Sequence, residues 1–153
     1  MSDNTARLLL MASALLWIIW GLVHAAAGVI VMGGDTVSGL QGIADAVPPE
    51  DLMSTYHPAV GAILNQHAWN LLWGGLVTIA GAVFVWRENR TAIWVTAMVG
   101  GLLDVGYFVF IDLGDFGKVV PGRVMTIFSA SAIVLSFCVY FLRSPHASGR
   151  ASA

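Results

Sequence analysis

The sequence predicts an all-α integral membrane protein, a bundle of four transmembrane helices with both termini on the cytoplasmic side. Three observations predict it. The first is composition: of 153 residues, 58% are hydrophobic and only 10% charged, where a soluble domain carries about 25% charged residues. The second is where the charges are missing. No Asp, Glu, Lys or Arg lies between Arg7 and Asp35, or between Asp51 and Arg87. The third is the asymmetry of the cations that remain, described below.

A helix needs about 20 apolar residues to cross the hydrocarbon core. Four stretches reach that length, roughly 8–33, 66–86, 92–112 and 122–142, and the second can begin as early as Pro58. The first is about 26 residues long, well beyond the 7–15 of a signal-peptide core, so it reads as a retained span despite an A-x-A pattern at Ala25–Ala27. Four spans place Arg7, Arg87, Arg90, Arg143 and Arg150 on one side and leave Lys118 and Arg123 on the other. The positive-inside rule makes the Arg-rich side cytoplasmic. The loop 34–65 has no Lys or Arg and carries Asp35, Asp45, Glu50 and Asp51, so it is expected outside. The implied location is the cell membrane, the inner one in a Gram-negative bacterium.

Within that loop, Leu40, Ile43, Ala44 and Val47 follow helical spacing and predict a short amphipathic helix, ended by Pro48-Pro49. Glu50 and Asp51 suit a further short turn. Pro58 suits the first position of the second span. His57, just before it, reads as a solvated or capping residue. The chain is expected to form one domain, 1–143, with a small polar disordered tail, 144–153. Glycines at 21, 28, 74, 75, 81, 100 and 101 suit close helix approach in lipid.

Polar groups inside such spans are costly and call for an explanation. Counting about 1.5 Å per residue from the Arg-rich ends puts His24, His67, Asn70, Asp104 and Tyr107 about 20–28 Å up their helices. Thr126 falls in the same band. Four helices of alternating direction thus contribute polar groups to one layer in the outer half. Asp112 and Asp115, near the outer end, are expected to face water. The inner half of every helix reads as apolar.

Several chemistries could use this layer. Asp104, His24 and Tyr107 are candidate acid–base groups acting on a lipophilic, even quinone-like, molecule. His24, His67 and Asp104 form a candidate metal set of two imidazoles and a carboxylate, although no H-x-x-x-H or E-x-x-H spacing sharpens it. His24 and His67 are alternatively a candidate axial pair for haem, with Asn70 in support. The alternative to a binding or catalytic site is a structural or accessory subunit whose polar layer only pins helices together. A third reading is a proton-linked small-molecule transporter, which would need an oligomer to form a path. Expected partners are the bilayer, a lipophilic small molecule, and further copies of the chain or a larger membrane complex. A net charge of −2 with no basic stripe argues against nucleic acid. The lone Cys138 offers no cysteine-based metal motif.

Overall fold

The computed structural model describes residues 1–143; the predicted disordered tail lies outside the described residues. Among these there are helices and connecting turns but no strand. Helix α1 spans Asp3–Gly33, α2 Thr36–Ile43, α3 Pro49–Leu52, α4 Pro58–Trp86, α5 Arg90–Tyr107 and α6 Val124–Leu142. A π-helical turn, Phe108–Asp112, extends α5, and an irregular turn, Val119–Arg123, leads into α6. With these extensions, four helices are long and apolar enough to cross a membrane.

The helix ends follow local chemistry. The Ser2 hydroxyl caps α1 by accepting from the Thr5 N–H. Asn89 does the same for α5 through Ala92. His57 caps α4 by accepting from the Ala59 N–H, with Pro58 at the first helical position, where its missing N–H costs nothing. The loop helix α2 ends at Ile43 rather than continuing to Val47. Its Leu40 and Ile43 pack on Val31, Leu64 and Ala68.

Asp35 caps α2, its carboxylate accepting from the Ser38 amide at 2.8 Å and hydroxyl at 2.7 Å. These bonds hold its carboxyl below the usual carboxylate range. A depressed folded pKa contributes stability above the unfolded value of about 3.9, and that contribution is lost as pH falls through the lower folded value. Protection factors of the α2 amides, exchange rates divided out by the intrinsic rate at each pH, should therefore fall below about pH 4. In Asp35→Asn they should not change with pH there.

The long helices form a ring: α1 packs on α4 and α6, and α5 closes the ring between α4 and α6. The α1–α4 seam is the closest. A Cβ added to Gly75 would lie 2.5 Å from the Gly21 carbonyl oxygen and 2.7 Å from the Ala25 amide nitrogen. A Cβ on Gly28 would lie 2.5 Å from the Ala68 carbonyl oxygen. The diagonal from α1 to α5 is bridged by two indoles, Trp17 and Trp20, both 0% exposed and set edge to face at 5.8 Å. Gly100 of α5 makes room for the Trp17 ring. Trp17→Ala should lower unfolding stability by about 3–5 kcal/mol, as read by denaturant titration of the purified chain.

The bundle is polarised inside out. Leu22, Ile30, Leu76, Leu102, Ile127 and Val134 face outward. The interior is built largely of Ala, Gly, Ser and Thr around the two indoles. Small residues and hydroxyls at the seams suit a lipid solvent, which offers no hydrophobic drive between helices. This corrects the expectation of a wholly apolar inner half. Ser13, Thr78, Thr96 and Ser136 are buried toward the Arg-rich end. Ser13 and Ser136 both donate to the Ala132 carbonyl, at 2.7 and 2.8 Å. That end is tied by Arg143, which pairs with Asp3 at 2.6 Å and Glu88 at 2.8 Å.

Candidate functional site

At the end opposite Arg143, a cavity of about 80 Å³ opens between the four long helices, roofed by α2. Its apolar wall is Val23, Ala27, Ile43, Leu71 and Met125, and its polar groups are His24, His67, Asp104 and Tyr107. Four of the residues placed in one layer by counting along the helices thus meet around one space. Asp104 and Met125 are buried and form its floor. His67, Gly42 and Pro121 are exposed and mark its mouth. The roof is held from the far side, where the Ala46 amide donates to the Phe116 carbonyl at 2.9 Å and the Lys118 amide to the Asp45 carboxylate at 2.6 Å.

Asp104 is 3% exposed. Its Oδ1 accepts from Trp20 Nε1 at 3.1 Å and its Oδ2 from the Ser129 hydroxyl at 2.5 Å. Among the described residues no cation pairs with it. His24 lies one turn after Trp20 on the same face of α1. The two rings stack with centroids 3.6 Å apart and planes 18° from parallel. His24 Nδ1 lies 2.8 Å from the Trp20 carbonyl oxygen. A carbonyl oxygen can only accept, so Nδ1 carries the proton, and in the neutral ring Nε2 is a bare acceptor. Trp20 therefore acts three times: its carbonyl fixes the tautomer of His24, its ring fixes the imidazole plane, and its Nε1–H orients Asp104. Among the described residues nothing hydrogen-bonds His24 Nε2 or the Tyr107 hydroxyl. The Tyr107 hydroxyl reaches a crevice made by Gly117 and Gly122, where an added Cβ would come within 2.6 Å of it.

Asn70 stands apart from this cavity. Its Oδ1 accepts from Trp73 Nε1 at 3.0 Å on the outer side of α4. Asp115 is exposed as expected, but Asp112 is only 4% exposed. The cause is the π-helical turn, closed by the Leu113 amide on the Phe108 carbonyl at 3.0 Å. One residue inserted into an α-helix turns the remainder by about 100°. That swings Asp112 onto the stripe of Asp104. There the Thr126 hydroxyl donates to its Oδ2 at 3.2 Å, and Arg123 Nε stands 4.0 Å from its Oδ1. Arg123 also pairs with Asp115. Thr126→Val removes the one hydrogen-bond donor to the Asp112 carboxylate among the described residues and should cost about 1–3 kcal/mol of unfolding stability.

The metal expectation is not supported. Among the described residues no group of three or more His, Cys, Asp or Glu side chains gathers to hold a metal ion. Both Asp104 oxygens are taken by Trp20 and Ser129, and His24 keeps only Nε2. The haem reading meets a size limit. About 80 Å³ holds a few small groups, and a benzene ring alone fills a cavity of about 150 Å³. Ser129 was not singled out from the sequence, although Thr126 and Ser129 share a face of α6 by their i, i+3 spacing. Comparison with protein-family models, curated proteins and solved structures gives no match for this chain.

Proposed function

We propose that the chain is a multi-pass membrane protein whose outer half holds a binding or catalytic site for a small lipophilic molecule, with both termini in the cytoplasm. The observation that carries this reading is the cavity itself. Apolar walls with a few convergent polar groups are the usual form of a small-molecule site. Here the polar groups include an imidazole nitrogen and a phenol hydroxyl with no protein partner among the described residues. His24 Nε2 is the base or acceptor, Tyr107 the donor, and Asp104 a fixed negative group that acts through Trp20. His67 lies at the mouth.

The acidic loop and the Arg-rich opposite end support the orientation. In a Cys138→Ser background, Ser54→Cys should be labelled by an impermeant maleimide from outside intact cells, and Asn89→Cys only after lysis. Reversed labelling overturns the orientation.

The site reading is tested by retention. The wild-type chain purified in lipid nanodiscs should carry a lipophilic molecule detectable by mass spectrometry. Ala27→Leu, which fills the cavity from α1, should lose it while the bundle stays folded. Equal retention, or none in either protein, would sink the site.

A second reading is favoured by one observation: both oxygens of Asp104 already have donors from α1 and α6. A structural subunit needs no more than this. It predicts that Asp104→Asn leaves every property of the protein unchanged.

A further inference from the structure

Resting on the reading of this cavity as a small-molecule site, we infer that its ligand is a neutral aliphatic alcohol whose hydroxyl bridges His24 Nε2 and the Tyr107 hydroxyl. The hydrogen-bond inventory comes first. His24 Nδ1 is committed to the Trp20 carbonyl at 2.8 Å, so Nε2 offers a lone pair and asks for a donor. Tyr107 offers an O–H and asks for an acceptor. A hydroxyl is donor and acceptor in one atom and serves both. An ammonium can donate to Nε2 and to the phenol oxygen, but it has no lone pair for the Tyr107 proton, which stays unbonded. A carboxylate has no proton for Nε2, and it would lie near the Asp104 carboxylate in a low-dielectric site, where like charges repel strongly.

Size comes second. The cavity is about 80 Å³, roughly half of what encloses a benzene ring. A hydroxymethyl head with its first two or three carbons fills that space more closely than the quinone-like head expected from the sequence. The walls beside those carbons are Val23, Ala27, Leu71 and Met125, all apolar, and His67 stands only at the mouth. The rest of the chain leaves by the exposed mouth at His67, Gly42 and Pro121. The ligand class is therefore a long-chain aliphatic primary alcohol.

The test uses the full chain in nanodiscs, with 15N-labelled histidine, and three probes of one chain length: decanol, decylammonium and decanoate. The unprotonated His24 nitrogen is assigned by its loss in His24→Ala. Decanol should move that resonance and the other two should not. Tyr107→Phe keeps the ring and removes a hydroxyl that no described residue bonds, so it should fold normally. It should weaken decanol binding about three- to tenfold. If decylammonium or decanoate moves the resonance as far as decanol, the alcohol assignment is overturned while a lipophilic ligand stands. If Tyr107→Phe binds decanol as well as the parent, the two-point bridge is overturned. If none of the three probes moves it, the alcohol assignment falls, and retention of a native lipophile then decides the broader reading separately.

Discussion

Gly75→Val should abolish the folded bundle. The seam between α1 and α4 leaves no space at this position: even a single Cβ would stand 2.5 Å from the Gly21 carbonyl oxygen and 2.7 Å from the Ala25 amide nitrogen. Both are backbone atoms, so no side chain can turn aside and the helices must part. Overpacking in a core that can adjust costs about 1–3 kcal/mol. A clash with two backbone atoms at the closest seam exceeds that range, and it acts on a protein whose whole stability is about 5–15 kcal/mol. The damage also propagates. Parting α1 from α4 shifts the face of α1 that carries Trp17, Trp20 and His24. Size-exclusion profiles and circular dichroism in detergent should show aggregated or non-cooperatively melting protein. Gly33→Val is the control, since an added Cβ there meets nothing within 4 Å. Normal melting of Gly75→Val would refute the seam.

Asp104→Ala should be the most damaging change in the cavity itself, and Asp104→Asn a mild one. Alanine leaves the Trp20 Nε1–H, 0% exposed with the rest of its side chain, without an acceptor. It also removes the acceptor of Ser129, which keeps the Thr126 carbonyl at 3.0 Å as a fallback. Stranding a buried donor costs about 1–3 kcal/mol, and the lost side chain adds a void. A total of about 2–4 kcal/mol is expected in denaturant unfolding. Asparagine keeps an oxygen for Trp20 and turns its NH₂ toward Ser129, whose own proton then goes to Thr126. Fold is preserved and the charge is gone. The functional reading predicts that Asp104→Asn changes ligand retention at unchanged stability. The accessory reading predicts that neither moves.

Much of this was legible in the sequence, for physical reasons that are local. Charge-free runs mark the spans because a charge in hydrocarbon is costly over the whole thickness, not at one residue. Pro58 and the capping His57 before it mark a helix start because they act within a single turn. The shared depth of His24, His67, Asp104 and Tyr107 could be counted because helical rise is constant. Rotation is less constant. The π-helical turn after Tyr107 depends on a bond reaching five residues back, and no residue type in Phe108–Asp112 announces it, so Asp112 was placed in water. Asn70 had the right height and the wrong face. The pairing of Trp20 with Asp104 crosses the bundle diagonal, and depends on two helices that meet only through side chains. The size of the cavity depends on all four helices together.

The bond from His24 to the Trp20 carbonyl makes the imidazole a cul-de-sac. A proton that arrives at Nε2 cannot be passed on through Nδ1, because the atom waiting there is an amide oxygen with no useful basicity. On the proposed reading, whatever His24 took from a ligand it would return toward the mouth by which the ligand came. Traffic through this residue runs out and back on one side. In a proton-linked transporter the relay would have to run through groups other than Nδ1 of this histidine.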